Sequence, residues 1–292
     1  MRFKIRLKQI QSQQSIPFNY QFPIYNFINF NLKKYGGNYL SWLEKNGFDK
    51  VKNYLDYFTF SYLHIPQLER DNETLKLMSD DLDFTIGILS EKIYEDSIMN
   101  IFRNKKLRID SNEQSAEFKI DNIVREANTE FSGKIALKTI SPIVISKKVI
   151  FNGYESNYFM KPEDPDYKDQ FINVLIRKYL RYIKFSGKFR MAQKIHPNIS
   201  INNFNITGPI KSRLITIEKK GKIVTKVRGF QYSFEISGDK NLLKFAFETG
   251  FGNYCGWGLG CTSISNNNMQ KQNSTVEIQQ ENQFDYNSIY SD

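Results

Sequence analysis

The sequence predicts an α+β fold of two consecutive β-α-β-β-α-β units followed by a glycine-rich loop. Alternating apolar and polar residues indicate strands in both halves of the chain. Apolar residues at helical spacing lie between these strands, which places helices on one face of each sheet and leaves the other face open. Two Gly-hydrophobic-Gly triplets, 250–252 and 258–260, follow the last predicted helix.

The first predicted strand is half-buried, because apolar and cationic residues alternate along it. Met1, Phe3, Ile5 and Leu7 point to one side, and Arg2, Lys4, Arg6 and Lys8 point to the other. A row of four cations is a candidate track for phosphate groups. A solvated strand face is the ordinary alternative.

The remaining elements of the first half complete one unit. Helices are predicted from Tyr25 to Tyr35, from Asn38 to Asn46 and from Ser90 to Asn104, and strands over Tyr57–Ile65, Leu82–Ile88, Phe118–Ile120 and Ile135–Ile140. This order is that of the ferredoxin-like (RRM-like) unit.

The second half repeats this order less clearly. It contains a strand pair at Ser146–Phe151, a helix over 167–179, strands at Ile199–Ile206, Leu214–Ile217 and Phe230–Ile236, a hairpin turn at Glu218–Lys222, a helix that starts at 237–239 and a last strand at 261–264. We therefore expect two ferredoxin-like domains, 1–141 and 142–265. Residues 266–292 are rich in Asn, Gln and Ser, have too little apolar content to fold alone, and are predicted to form a disordered tail.

The charge balance favours an anionic partner. The 292 residues carry a net charge of +10, and because residues 266–292 contribute −3, the first 265 carry +13. A basic folded body most often binds nucleic acid, and the 24 Phe and 17 Tyr residues suit base stacking. A soluble basic protein without such a partner is the alternative.

The cysteines and histidines do not support a metal centre. Cys255 and Cys261 form no Cys-x-x-Cys motif, and His64 and His196 are far apart in sequence, so we expect neither a metal nor a cofactor. The chain starts with charged residues rather than a signal peptide, and no apolar run is as long as a membrane span. We expect a cytoplasmic protein with reduced thiols and no membrane partner.

The glycine-rich loop has two interpretations of about equal weight. Glycine lets the backbone approach a ligand closely, and successive N–H groups in such a loop can hold a phosphate. Glycines also serve tight turns and strand crossings. On the first interpretation, a β-branched side chain at Gly258 would impair ligand recognition more than folding.

Four segments, taken in order, resemble the Cas-six family of CRISPR RNA endoribonucleases, which belongs to the RAMP superfamily. They are Met1–Leu7, Ile16–Gln21, Thr139–Ile143, and Leu242–Thr249 running into the glycine-rich loop. The resemblance covers roughly residues 1–265, and the loop is its specific part.

The resemblance implies a function in CRISPR-based antiviral defence. Such proteins bind the repeat of the precursor CRISPR transcript and cut it without a metal. A 2′-hydroxyl attacks the adjacent phosphate and leaves a 2′,3′-cyclic phosphate and a 5′-hydroxyl. This chemistry requires a base, a cation that stabilises the phosphorane, and an acid for the leaving oxygen.

The chain departs from the residues that the family uses for this chemistry. By the resemblance, Glu44 stands at the usual His position and Asn29 at the usual Tyr position, and only Lys50 matches the family's Lys. The candidate catalytic residues are Lys34 and Lys50 as phosphorane-stabilising cations, Tyr39 as a group that orients the 2′-hydroxyl, and His64 as a competing base. Solvated helix charge is the favoured interpretation of the lysines, core packing explains Tyr39 at least as well, and a position in the core or at its rim is favoured for His64 over a role as base.

The candidate RNA-binding residues are easier to argue. They are Gly250, Gly252, Gly256, Gly258 and Gly260 in the loop, Lys188 and Arg190 after the long helix, and Lys220, Lys222 and Arg228 in the last hairpin. A basic hairpin can also be a charge-protected sheet edge. A non-catalytic repeat-binding relative, or a structural subunit of a multi-subunit CRISPR effector complex, remain alternative functions.

RNA affinity should fall steeply with salt. If residues 1–265 neutralise phosphates with their +13 charge, log affinity for single-stranded repeat RNA should fall with log salt by about 0.7 per phosphate. Titration of labelled repeat RNA between low and moderate salt measures this slope. A flat response would remove the electrostatic argument.

Overall fold

The computed structural model describes residues 1–44, 57–71, 74–110, 115–151, 153–185, 199–219 and 222–265. One cluster of buried apolar side chains extends through both halves of the chain. The predicted α+β class is confirmed, and the helices pack on antiparallel sheets.

The first half forms a five-stranded sheet with helices on one side. Its elements are β1 (Arg2–Gln9), β2 (Ser15–Pro17), α1 (Gln21–Tyr35), α2 (Gly37–Leu43), β3 (Phe58–Phe60), β4 (Leu68–Asp71), β5 (Thr74–Leu77), β6 (Asp81–Ile88), α3 (Glu95–Phe102), β7 (Lys106–Asp110) and β8 (Ser115–Arg125). The sheet order is β3-β6-β1-β8-β7, and β2, β5 and β4 form a small separate sheet.

The second half forms a four-stranded sheet with two inserted hairpins. Its elements are β9 (Lys134–Thr139), β10 (Ser146–Phe151), β11 (Tyr154–Phe159), α4 (Tyr167–Phe185), β12 (Ile201–Ile206), β13 (Lys211–Lys219), β14 (Lys222–Gln231), β15 (Ser233–Gly238), α5 (Lys240–Thr249) and β16 (Thr262–Ile264). The sheet order is β12-β15-β9-β16, and the hairpins are β10-β11 and β13-β14.

The two sheets share one topology. The first uses β1, β3, β6 and β8, with α1 and α3 as its connections, and the second uses β9, β12, β15 and β16, with α4 and α5. In each, the first strand lies between the third and the fourth. This is the β-α-β-β-α-β order that the sequence patterns predict for each half.

Local sequence explains the regular elements. In β1, Phe3, Ile5 and Leu7 are buried and the residues between them are exposed, which is the period-two pattern of a half-buried strand. Helix α5 begins after Asp239, whose carboxylate accepts hydrogen bonds from the N–H groups of Asn241 and Leu242.

The boundary between the two sheets lies earlier in the chain than the sequence predicts. Strand β9, expected to close the first half, pairs with β15 and β16 in the second sheet. The first sheet is closed by β8 instead, so the boundary lies between Arg125 and Lys134 rather than at residue 141. Strand pairing depends on distant partners, and alternation within a strand does not identify them.

Arg2 lies at the contact between the two halves and not in the exposed cationic row. Its Nε donates to Oε2 of Glu126 at 2.7 Å, and Nη1 donates to the carbonyl oxygen of Phe247 at 3.0 Å. The guanidinium also lies 4.1 Å from the centroid of the Phe247 ring. Since Phe247 belongs to α5, Arg2 joins the first sheet to the second half.

Replacing Arg2 should destabilise the fold. Arg2 is buried but Glu126 is 32% exposed, and Arg2→Ala removes the ion pair between them together with the hydrogen bond to the Phe247 carbonyl, so it should lower the free energy of unfolding by about 2–3 kcal/mol. Lys4→Ala is the matched control on the same face of β1. Lys4 is 50% exposed, and its ion pair with Asp83 is worth less than about 1 kcal/mol. Urea denaturation measures both variants, and equal losses would contradict this account of Arg2.

Candidate nucleic-acid interface

Exposed cations lie on the open face of the first sheet. Lys4, Arg6 and Lys8 are exposed along β1. Lys8 lies opposite Lys119 of β8, and Lys119 lies opposite Lys106 of β7, so three exposed lysines cross three neighbouring strands. We call Lys8, Lys119 and Lys106 the lysine row. Asp81 of β6 faces Lys8 from the other side, so it is the β8 and β7 side of this sheet end, where like charges lie directly opposite one another and repel, that favours an anion.

His64 lies on the same open face, beside two charged groups. Its Nδ1 is 3.1 Å from Oδ2 of Asp83, and Nζ of Lys4 is 3.3 Å from the same oxygen. The His64 side chain is 36% exposed. When Nδ1 carries the proton and donates to Asp83, Nε2 carries the lone pair of a general base. An imidazole and an ammonium group are thus held together by one carboxylate.

Tyr39 is a core residue. It is buried, and its hydroxyl donates to the carbonyl oxygen of Leu89 at 2.8 Å. Burial raises the pKa of Tyr39, so the phenol keeps its proton. This geometry favours the packing interpretation over contact with a 2′-hydroxyl.

Lys34, one of the two predicted catalytic lysines, does not join His64 among the described residues. Lys34 is exposed in the last turn of α1, where its Nζ lies 5.4 Å from the centroid of the Phe30 ring and 5.3 Å from that of Tyr35. Lys50 lies outside the described residues. Glu44, at the family's His position by the resemblance, is exposed at the end of α2.

The glycine-rich loop is packed against the protein. Four of its glycines have φ between +72° and +88°, a range that residues with a side chain rarely adopt: Gly250, Gly252, Gly258 and Gly260. A Cβ at Gly258 would overlap the buried ring of Phe60. Added Cβ atoms would also meet Thr59 and Cys255 at Gly250, the Val144 carbonyl at Gly252 and the Phe251 carbonyl at Gly260.

Several peptide N–H groups of the loop already have partners in the protein. Phe251 donates to the Gly260 carbonyl at 2.9 Å, and Gly260 donates to the Pro142 carbonyl at 2.8 Å. Gly256 is buried in the short 3₁₀ helix Cys255–Trp257. These contacts explain much of the glycine pattern by packing, and RNA contact by the five glycines stays a prediction.

The tip of the loop carries aromatic side chains. Trp257 stacks on Tyr25 of α1, with ring centroids 4.4 Å apart, and on Phe22, with centroids 5.9 Å apart. Tyr254 has φ +60°, a left-handed conformation that is uncommon for a bulky residue. This stack was not predicted from the sequence, although the i, i+3 spacing of Phe22 and Tyr25 places both rings on one helix face.

The basic hairpin β13-β14 packs beside the loop. Ile215 and Val227 contact Val144 and Leu259 in a small apolar cluster. On the hairpin, Arg228 is exposed and its guanidinium donates to the Ser212 hydroxyl at 2.8 Å. Lys222 begins β14, opposite Lys219 in the backbone register. Lys188, Arg190 and Lys220 lie outside the described residues.

The described residues show neither a candidate metal centre nor a membrane-spanning helix. They contain no group of three or more His, Cys, Asp or Glu residues that could hold a metal ion. Within the same residues, no helix is long and apolar enough to cross a membrane.

The chain is similar in sequence to CRISPR-associated proteins. Residues 125–264 match the family described as CRISPR associated protein Cas6, C-terminal. Over 266 residues the chain is 26% identical to a CRISPR-associated endoribonuclease-like protein Cas6 from Pyrococcus furiosus, a match that covers 90% of this chain and 98% of the relative. The endoribonuclease-like protein Cas6nc from Pyrococcus horikoshii is 22% identical over 266 residues, with 90% and 99% covered.

Solved structures of the same kind share the fold. A Cas6-related protein from Pyrococcus furiosus has a TM-score of 0.70 at 22% identity, covering 91% of this chain and 98% of that chain. A RAMP protein described as binding different RNA substrates has a TM-score of 0.69 at 19% identity, covering 91% and 99%. At these identities the likeness concerns the fold alone.

A side chain at Gly258 should damage folding first, contrary to the expectation from sequence. Gly258→Ala costs about 1–2 kcal/mol for the left-handed backbone and about 1–3 kcal/mol more for the clash with Phe60. Gly153→Ala is the matched control, because Gly153 has φ +79° and, apart from its chain neighbours, no atom of the described residues within 4 Å of its Cβ position. Chemical denaturation should therefore show a larger loss for Gly258→Ala. If the two losses are equal and only RNA affinity separates the variants, the ligand-binding interpretation of Gly258 stands.

Proposed function

We propose, on the premise that residues 125–264 are a Cas6 C-terminal domain, that this protein binds the repeat of the precursor CRISPR transcript and cleaves it by metal-independent 2′-hydroxyl attack. The observation that carries the proposal is the cationic open face of the first sheet, which also holds the His64–Asp83–Lys4 group. Similar proteins are named endoribonuclease-like, and one RAMP protein of this fold is described as binding RNA.

The charge distribution supports RNA binding. Lys4, Arg6 and Lys8 follow one another along β1, and the lysine row extends the positive surface to β7. Lysine and arginine side chains bind phosphates without regard to sequence and release counterions. An open antiparallel sheet also gives single-stranded bases a surface on which to spread.

His64 supports the cleavage step, because it has the partner and the exposure of a general base. The chemistry transfers the 2′-hydroxyl proton to Nε2 of His64 while the bond from O2′ to phosphorus forms and the bond from phosphorus to O5′ breaks. The leaving 5′-oxygen takes a proton from water. Asp83 holds the ring at 3.1 Å and stabilises the imidazolium that results.

Lys4 is suited to stabilise the phosphorane. Its ammonium lies 3.3 Å from the carboxylate that also holds His64, so it brings positive charge next to the proposed base. Lys34 on α1 is a rival cation, and Lys50, outside the described residues, is another. Since Lys34 and His64 belong to separate groups of side chains, substitutions can distinguish the two arrangements.

A non-catalytic RNA-binding protein is the second candidate. Its support is the replacement of the family's usual His and Tyr by Glu44 and Asn29, as the resemblance aligns them. This candidate keeps the cationic face and the Cas6 C-terminal domain but predicts no product.

A cleavage assay on the repeat RNA of the organism's own CRISPR array tests the proposal. Cutting should persist in EDTA, leave a 2′,3′-cyclic phosphate, and stop when the 2′-hydroxyl at the cut site is replaced by hydrogen. His64→Ala should slow cleavage at least about a hundredfold with RNA binding retained, because it removes the base. Lys4→Ala should slow it about a hundredfold, or about 3 kcal/mol.

Lys34→Ala is the matched comparison, since it removes one lysine from the other group. A large loss with Lys34→Ala or Lys50→Ala and none with His64→Ala would move the reaction to the first helices. Tight binding of the repeat without any cutting would leave the non-catalytic candidate, and absence of binding would remove both.

A further inference from the structure

Aromatic rings and ammonium groups form an exposed cluster where α1 meets the start of β7. Phe30 is 57% exposed and Tyr35 is 42% exposed, so both rings are accessible to a ligand. Nζ of Lys34 lies over both rings, and Nζ of Lys105 lies 3.5 Å from the centroid of the Tyr35 ring. We call Phe30, Lys34, Tyr35 and Lys105 the aromatic–lysine cluster.

The local fold holds this cluster in place. Phe30 and Lys34 are four residues apart on α1 and therefore share a helix face. Helix α1 packs on α3 through Phe27 and Phe102, whose ring centroids are 6.0 Å apart. The backbone carbonyl of Lys105 accepts a hydrogen bond from the N–H of Ile120 in β8. Both sides of the cluster are thus anchored to regular structure.

The electrostatic environment of the cluster is positive. The hydrogen bond from Lys34, together with the charges of Lys105 and Lys34, lowers the pKa of Tyr35. A phenol responds in this way when nearby cations stabilise negative charge on its oxygen. The same surroundings attract a phosphate group.

The cluster is continuous with the lysine row. Lys105 belongs to the cluster, and the next residue, Lys106, is the end of the row that runs through Lys119 to Lys8 on the open face. Neighbouring strands lie about 4.8 Å apart, so cations follow one another from β1 across the sheet and around its β7 edge.

We propose that the aromatic–lysine cluster is a second contact site for single-stranded RNA, in which a base stacks on Phe30 and the adjoining phosphates lie against Lys105 and the lysine row. The inference rests on the proposed RNA-binding function and names a further part of the RNA path. It assigns the site to single strands of any sequence, because aromatic stacking and phosphate contacts tolerate every base. Clustered like charges make a protein partner the less suitable occupant, unless that partner is strongly acidic.

Binding of two labelled probes to the full chain tests this site. The first is a twelve-nucleotide oligouridylate and the second an oligomer of the same length with abasic sugars. Phe30→Ala should weaken the oligouridylate about tenfold and leave the abasic oligomer unchanged, because only the first can stack. Lys105→Gln should weaken both and reduce the salt slope by about 0.7.

Two control variants match these changes. Tyr154→Ala removes a ring that is 79% exposed on β11, and Lys240→Gln removes an exposed lysine at the start of α5. Tyr154→Ala should leave both affinities unchanged, and Lys240→Gln should have a smaller effect than Lys105→Gln. Melting temperatures equal to wild type establish that the variants are folded.

Three outcomes would overturn the site. One is a wild-type chain that does not bind oligouridylate, and another is a Phe30→Ala variant that binds both probes as wild type does. A third is a Phe30→Ala variant that binds RNA normally but changes the sedimentation of the protein, which would assign the cluster to protein contacts. Repeat RNA measured alongside separates these failures from the proposed function: normal repeat binding with no effect of Phe30→Ala or Lys105→Gln removes only the second site.

Discussion

The close approach of the glycine-rich loop to strand β3 is the contact on which the arrangement of the two halves depends. Gly258 lies where a Cβ would overlap Phe60, and Gly250 lies against Thr59. The Thr59 hydroxyl donates to the Leu259 carbonyl at 2.8 Å, so β3 also holds the loop by a hydrogen bond. Gly250 and Gly258 need both a positive φ and the absence of a Cβ, because the loop backbone packs so closely on β3 that no space is left for a side chain.

This contact decides where the open face of the first sheet begins. Arg2 lies at the same end of the sheet. Its guanidinium donates hydrogen bonds to Glu126 and Phe247 and is therefore not exposed to bind phosphate. The next cations along β1 lie beyond the covered region and stay exposed. The buried guanidinium joins the halves through its hydrogen bonds to Glu126 and Phe247, while Arg6 and Lys8 stay exposed to water.

For the proposed RNA-binding function, the described surface presents more than positive charge. His64 and Lys4 share the Asp83 carboxylate on the open face, which combines a proton acceptor with a cation. The aromatic–lysine cluster lies past the far edge of the same sheet and adds rings on which bases can stack. A strand of RNA that crosses the sheet would meet these groups in succession, so binding and reaction would draw on one positive surface.

The sequence by itself determined the α+β class, the strand alternation of β1 and the start of α5, because each follows from residues that are neighbours along the chain. Only the tertiary structure decided that β9 belongs to the second sheet, that Arg2 is buried, and that Gly258 packs against the Phe60 ring. The pairing of His64 with Asp83 is of the same kind, since 19 residues separate them and a strand register brings them together. Local periodicity specifies which face of an element is apolar, whereas the identity of the partner that covers it depends on contacts between distant parts of the chain.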